Sequence, residues 1–321
     1  MDLLSYLPQN PFAHKDMLSL MDYTSDEVLQ LLSRAARLKI LQKRGVPHPV
    51  LAGKSVGLYL AKPSTRTRIS FEVGLHQLGA QPVALDVNSI GMGSRESLPD
   101  IARVLSRFLD GLMIRTFSQA DINALGSLAP WSVINGLTDD FHPCQALADM
   151  LTVHEVFGQF SGVRMCYVGD GNNVTHSLML AATSCGMDIT IATPKGYEPS
   201  PAVVANAQQR AAQSGAKITF CNDPREGVRG ANIVYTDVWA SMGQEDETAA
   251  RAKIFADYQI NGELMTLTAN DGIFMHCLPA HRGSEVTDEV MDAGYSLVFD
   301  QAENRLHAQK GVMAMLMGAA I

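Results

Sequence analysis

An α/β protein with two doubly wound parallel-sheet domains joined by interdomain helices is predicted for this chain by three observations. Short apolar runs alternate with segments of helical period along the sequence, the pattern that strand–helix–strand crossovers require. The 321 residues exceed what one core of ordinary size fills, so two domains are expected. Polar clusters gather directly after the strand patterns, where open α/β sheets collect their ligands.

Thr24-Ser25-Asp26-Glu27 forms a capping box, and Val28, Leu31, Leu32, Ala35, Leu38 and Ile40 give the apolar face of a helix that ends near Gly45. The run Ser55-Val56-Gly57-Leu58-Tyr59-Leu60, stopped by Lys62-Pro63, reads as a buried strand. A helix follows, opening at Ser64-Thr65-Arg66-Thr67-Arg68, with Ile69, Val73, Leu75 and Leu78 on its apolar face and Gly79 as the C′ residue. Further strands are expected over 82–87, at Leu112-Met113-Ile114 before Arg115, and over 132–137, with a helix through Ile101, Val104, Leu105 and Phe108 between the first two. After His142-Pro143-Cys144-Gln145, the residues Leu147, Met150, Leu151, Val153 and Val156 continue as a helix that bridges to a second domain. That domain carries strand patterns at 165–168, 188–192, 217–221, 232–236 and 272–277, and a last helix runs from Asn304 to Leu316.

Composition narrows the function. An apolar share of 46% with 18% charged residues, and no apolar run long enough to span a bilayer, indicates a soluble globular protein with no membrane partner. A net charge of -8 disfavours nucleic acid and makes any basic site a local feature suited to a small anion. The first residues lack the basic and apolar regions of a secretory signal, so the cytoplasm is the expected compartment. The five cysteines are odd in number and widely spaced, which argues for reduced thiols, most of them in the core.

Ser64-Thr65-Arg66-Thr67-Arg68 places hydroxyls, guanidinium groups and unpaired helix N–H groups around one small volume, which is chemistry for a phosphate. The same residues also read as an ordinary N-cap with solvated arginines. Gly169-x-Gly171 invites a dinucleotide reading, but Val174 stands at the third glycine position and no acidic residue closes the next strand, so no nucleotide cofactor is expected. The amides of Asn172 and Asn173 suit a carboxylate contact or a turn. His142 and Gln145, one turn apart, suit a polarised carbonyl and its amino group, or a plain helix start. The stretch Asp237-Val238-Trp239-Ala240-Ser241-Met242-Gly243 reads as a loop that closes over an amine, or as a surface loop. Met275-His276-Cys277-Leu278-Pro279 offers only two adjacent candidate metal ligands; a buried strand end or a thiol beside a reacting amine are the other readings.

Taken together, Ser64 to Arg68, His142 to Gln145, Asp237 to Gly243 and His276 to Pro279 resemble the carbamoyltransferase family. The first two motifs are shared with its aspartate enzymes, and the last two are those of its ornithine enzymes. The resemblance implies a carbamoyl phosphate domain over 1–145 completed by the C-terminal helix at 304–321, an ornithine domain over 146–303, and a homotrimer with sites near subunit interfaces. It implies that Ser64, Thr65, Arg66 and Thr67 hold the phosphate. Arg115, His142, Gln145 and Arg305 grip carbamoyl phosphate and polarise its carbonyl, with Cys277 and Leu278 where the amine reacts. Asn173, Asp237, Ser241 and Met242 are then the ornithine contacts, and Arg115, His142, Asp237 and Cys277 the catalytic set. The implied reaction joins the carbamoyl group to the δ-amine of L-ornithine, giving citrulline and phosphate without metal or organic cofactor, in arginine biosynthesis in preference to catabolism. N-acylornithine or putrescine as the amine, and a non-catalytic relative, are the alternatives.

One position departs from the family pattern. Relatives place a Gln or His before Glu96-Ser97 that reaches a neighbouring subunit's carbamoyl phosphate, and this chain has Gly91. Either Ser94 or Arg95 supplies the contact or it is absent, and weaker carbamoyl phosphate binding is expected.

Overall fold

In the computed structural model, which describes residues 2–91, 96–241, 243 and 245–318, the strands form one four-stranded and one five-stranded sheet, both parallel. The chain divides into two compact units: Asp2–Leu151 with the segment from Asn304 onward, and Thr152–Glu303.

The first unit contains α1 (Ser25–Lys43), β1 (Ser55–Leu60), α2 (Thr65–Gln77), β2 (Gln81–Leu85), α3 (Val87–Ile90), α4 (Leu98–Leu105), β3 (Gly111–Arg115), α5 (Gln119–Leu128), β4 (Ser132–Leu137) and the start of α6 (Pro143–Phe157). Its strand order is β2-β1-β3-β4. The winding therefore reverses between β1 and β3, and there Leu60 stands in register with Arg115. Such a reversal leaves a crevice at the carboxyl ends of the two strands. The sheet core is built by Tyr59, Leu112, Ile114, Ile122, Trp131 and Val133.

Local chemistry accounts for most of the elements. The capping box at α1 is formed: Thr24 Oγ1 accepts from the Glu27 N–H at 3.3 Å, and the Glu27 carboxylate accepts from the Thr24 N–H at 2.8 Å. Gly79 closes α2 at a φ of 81°, where a Cβ carries strain. The apolar face expected of α2 is buried only in part. Phe71, Gly74, Leu75 and Leu78 are covered, whereas Ile69 and Val73 are exposed. The reason is packing: Gly74 lets α2 lie close against Leu306, Lys310 and Met313 of the last helix, which turns Ile69 and Val73 outward. In the same way α4 ends at Leu105 and leaves Val104 and Phe108 exposed.

The second unit contains β5 (Arg164–Val168), α7 (Asn173–Ser184), β6 (Asp188–Ala192), α8 (Pro201–Ser214), β7 (Ile218–Cys221), α9 (Pro224–Val228), β8 (Ile233–Thr236), α10 (Thr248–Ile254), α11 (Gly262–Met265), β9 (Ile273–His276), α12 (Asp288–Met291) and the start of α13 (Val298–Met317). The order β7-β6-β5-β8-β9 puts its reversal between β5 and β8, with Val168 beside Thr236 and Thr236 beside His276. Gly171 has a structural reason. A Cβ there would stand 2.4 to 2.5 Å from the backbone of residues 197–199, whose Tyr197 carbonyl accepts from the Gly171 N–H at 2.8 Å. Gly171 thus serves the close packing of two loops.

The last helix starts six residues before the expected Asn304, because Val298 and Gln301 already lie on its buried side and no breaker intervenes. All five cysteines are free thiols, with Cys144, Cys166 and Cys277 buried. Among the described residues, no helix is long and apolar enough to cross a membrane.

Candidate active site

The crevice of the first sheet collects positive charge. Ser64 is the N-cap of α2 and accepts from the Thr67 N–H at 3.3 Å, and its hydroxyl donates to Thr67 Oγ1 at 3.1 Å. Arg305, buried on α13, donates from Nη2 to Thr67 Oγ1 at 2.8 Å. Arg115, buried at the end of β3, donates from Nε to the Lys62 carbonyl at 3.2 Å, while its own carbonyl accepts from the Ala61 N–H at 2.8 Å. Arg68 is turned away: it is exposed and pairs with Glu72 at 2.8 Å. Lys62 is buried, pairs with Asp139, and lies 4.3 Å from the centre of the Phe117 ring.

His142 follows a tight turn in which the Thr138 and Phe141 backbones bond at 2.9 Å, and Gln119 Oε1 accepts from the Thr138 hydroxyl at 2.6 Å. Burial, then the charges of Arg305, Arg115 and Arg66 in that order, hold its pKa well below the ordinary 6.5. The ring is therefore neutral at physiological pH. One turn along α6, Gln145 is buried and donates to Asp149 at 2.8 Å. Gln145 Oε1 and Arg66 Nε are buried with no hydrogen-bond partner among the described residues. Such atoms are costly unless a ligand completes them. Three guanidinium groups, a helix N-terminus and a neutral imidazole form a donor set for a small phosphorylated carbonyl compound.

The crevice of the second sheet has the opposite character. Asp237 follows β8; its Oδ1 accepts from Cys277 Sγ at 2.9 Å and its Oδ2 from Asn172 Nδ2 at 2.8 Å. Asn172 is also the N-cap of α7. Asp170 pairs with Arg251 at 2.6 Å, and Arg251 donates to the Trp239 carbonyl at 2.9 Å, tying the chain after Asp237 to α10. Burial raises the Asp170 pKa; Arg251 works against that rise, and the nearby Asp237 adds to it. His276 Nδ1 accepts from the Leu278 N–H at 2.8 Å, and Nε2 lies 3.2 Å from the buried Glu285. Leu278 has a φ of 56°, a strained backbone held between these groups. Donor atoms of Asp237, His276 and Cys277 lie within 4.8 Å of one another. The fold thus supplies a third possible ligand to the His-Cys pair, although both ring nitrogens of His276 are already engaged.

Comparison with known proteins is decisive. The carbamoyl-P binding domain of aspartate/ornithine carbamoyltransferase matches residues 15–155, and the Asp/Orn binding domain of the same family matches residues 161–316. The chain belongs to the aspartate/ornithine carbamoyltransferase family. It is 53% identical to the ornithine carbamoyltransferase of Thermococcus kodakarensis over 95% of this chain and 97% of that one. It is 50% identical to the anabolic enzyme of Pyrococcus furiosus over 95% and 97% of the two chains. Among solved structures, ornithine carbamoyltransferase from Pyrococcus furiosus superposes with a TM-score of 0.94 at 49% identity, covering 97% of this chain and all of that one. The anabolic enzyme of Campylobacter jejuni superposes at 0.88 with 33% identity, covering 94% and 99%.

The fold places the residues expected from the family motifs as follows. Ser64, Thr67, Arg66, Arg115, His142, Gln145 and Arg305 share the first crevice: Thr67 bonds to Ser64 and Arg305, the three arginines act on His142 through their charges, and the Gln145 N–H donates to the His142 carbonyl at 3.1 Å. Thr65 is the exposed first residue of α2. Asp237 and Cys277 meet in the second crevice; Asn173 is buried at the first turn of α7, Ser241 is half-buried, and Leu278 adjoins Cys277. Met242, Ser94 and Arg95 lie outside the described residues. Gly91 has a φ of 54°, so a glutamine there carries backbone strain. Sequence reasoning missed the bond from Asn172 to Asp237, the Arg251 tie and Asp149. For Asp149 a signal existed: His142, Gln145 and Asp149 are polar at i, i+3 and i+7 on a helix that is otherwise largely apolar.

Proposed function

We propose that this chain is an ornithine carbamoyltransferase, transferring the carbamoyl group of carbamoyl phosphate to the δ-amine of L-ornithine to give L-citrulline and phosphate. The observation that carries the reading is the neutral, buried His142 set among Arg66, Arg115 and Arg305. In this reading Ser64, Thr65, Arg66 and Thr67 bind the phosphate, with Arg305 on Thr67. Arg115 and His142 polarise the carbonyl, and Gln145 takes the amino group. Asn173, Asp237, Ser241 and Met242 bind ornithine, and Cys277 and Leu278 stand at the reacting amine. The free amine attacks the carbamoyl carbon, charge develops on the carbonyl oxygen where fixed donors await it, and phosphate leaves with its charge already neutralised. Asp237 and Cys277 favour delivery of the amine in its neutral form.

The first unit is assigned carbamoyl phosphate and the second ornithine. A homotrimer is proposed, supported by the apolar Ile69, Val73, Val104 and Phe108 that the first unit leaves exposed. Cytoplasmic arginine biosynthesis is the proposed setting, supported by the anabolic relatives. The test is citrulline formation with ornithine, run beside N-acetylornithine, putrescine and aspartate. Strong preference for ornithine is expected. Preference for another amine would overturn the assignment of Asn173 and the Asp237 loop, and no turnover with any of them would leave a non-catalytic relative.

A further inference from the structure

We infer that Asp149 is a positioning residue that orients the Gln145 amide, and so makes the site select a carbamoyl over an acyl phosphate. This inference rests on the carbamoyl phosphate reading above. Both side chains are fully buried one turn apart on α6, and Gln145 Nε2 donates to Asp149 Oδ1 at 2.8 Å. The NH2 end of the amide thus faces Asp149, whose Oδ1 accepts from it. The other end, Oε1, is then left as a buried acceptor with no partner among the described residues.

A buried carbonyl without a donor is unfavourable, so its partner must come with the ligand. Carbamoyl phosphate carries one donor group, its NH2; the carbonyl and phosphate oxygens accept, and the arginines present only donors to them. Oε1 is therefore the receptor for the carbamoyl nitrogen. Acetyl phosphate has nearly the same shape, with a methyl group in place of that NH2, and leaves Oε1 unsatisfied. A site built to hydrogen-bond a substrate group rejects an analogue that lacks it far more strongly than shape alone allows. Without the Asp149 carboxylate the amide can turn over, presenting its own NH2 to the carbamoyl NH2, and the discrimination falls.

The test is the ratio of dissociation constants for acetyl phosphate and carbamoyl phosphate, titrated without ornithine into the wild-type protein, Asp149→Asn, Gln145→Ala and the double variant. Asp149→Asn should lower the ratio about tenfold or more, chiefly by weakening carbamoyl phosphate. In the Gln145→Ala background the same change should leave the ratio where Gln145→Ala alone puts it. A merely structural role for Asp149 would weaken both ligands together and keep the ratio. Asp149→Ser, too short to hold the amide, serves as the second variant should the asparagine protein not fold. A wild-type ratio near one would overturn the carbamoyl phosphate reading itself. A high wild-type ratio that survives both Asp149 variants would overturn only the orienting role.

Discussion

The two crevices occupy the same topological place and hold opposite chemistry. In the first sheet the winding reverses between β1 and β3, and the loops there deliver Arg66 and Arg115, with Arg305 added from α13. In the second it reverses between β5 and β8, and the loops deliver Asp170 and Asp237 beside Cys277. A doubly wound sheet fixes where a ligand can bind. The charge of the few residues after each strand decides which ligand it is. In the proposed reading the first crevice takes an anion whose charge is held as it leaves, and the second a cationic amino acid that gives up a proton.

Replacing the cation in one crevice and the anion in the other should separate the two substrates. Arg115→Ala should have the largest effect, lowering kcat/KM for carbamoyl phosphate by about 10³-fold, the scale of a lost oxyanion donor. Steady-state kinetics should show the ornithine KM little changed; equal damage to both substrates would break the comparison. Asp237→Asn should lower kcat/KM for ornithine by roughly 10²-fold, while carbamoyl phosphate titrated alone binds as before. If carbamoyl phosphate binding fell as far, the two crevices would not be chemically independent.

The neutral state of His142 sharpens the contrast further. Its pKa lies well below 6.5 because burial and three arginines disfavour the imidazolium. Carbamoyl phosphate affinity, corrected for the ligand's own ionisation, should therefore show no step near pH 6.5. A step there that disappears in His142→Asn would place an ordinary histidine at the site.

The smallest expected effect lies away from both crevices. Asp26 accepts from the Tyr6 hydroxyl, from the Gln9 and Asn10 N–H groups at 3.0 Å each, and from Gln30 Nε2 at 3.0 Å. Burial alone would raise its pKa, but these bonds together carry it below the ordinary 3.8. A carboxylate depressed in the folded state contributes stability above its unfolded pKa and loses it as pH falls through the folded value. Asp26→Asn should cost about 1–3 kcal/mol at neutral pH, read by denaturant unfolding, and the gap to wild type should narrow below about pH 4. Kinetics at 25 °C should be nearly unchanged, since the change touches neither crevice.

Much of this was legible in the residues. The strand patterns, the capping box and the Ser64 cradle are local features, and local periodicity and capping chemistry describe them well. The family motifs pointed to Arg115, His142, Asp237 and Cys277. What failed was reading burial from periodicity alone: Ile69 and Val73 fit an apolar stripe but are exposed, because the close approach at Gly74 decides which face of α2 is covered. Only the packing against residues 197–199 explains Gly171, and no local pattern shows it.

The sequence by itself determined two parallel sheets, the order of the motifs and the chemical kind of each cluster, since all of these follow from residues close together in the chain. The tertiary structure alone decided which groups meet. Arg305 reaches Thr67 across 238 positions, and Cys277 reaches Asp237 across 40. The packing of the last helix brings the first pair together, and the parallel pairing of β8 with β9 the second. Such contacts are paid for by the burial of whole elements, so no local pattern along the chain records them.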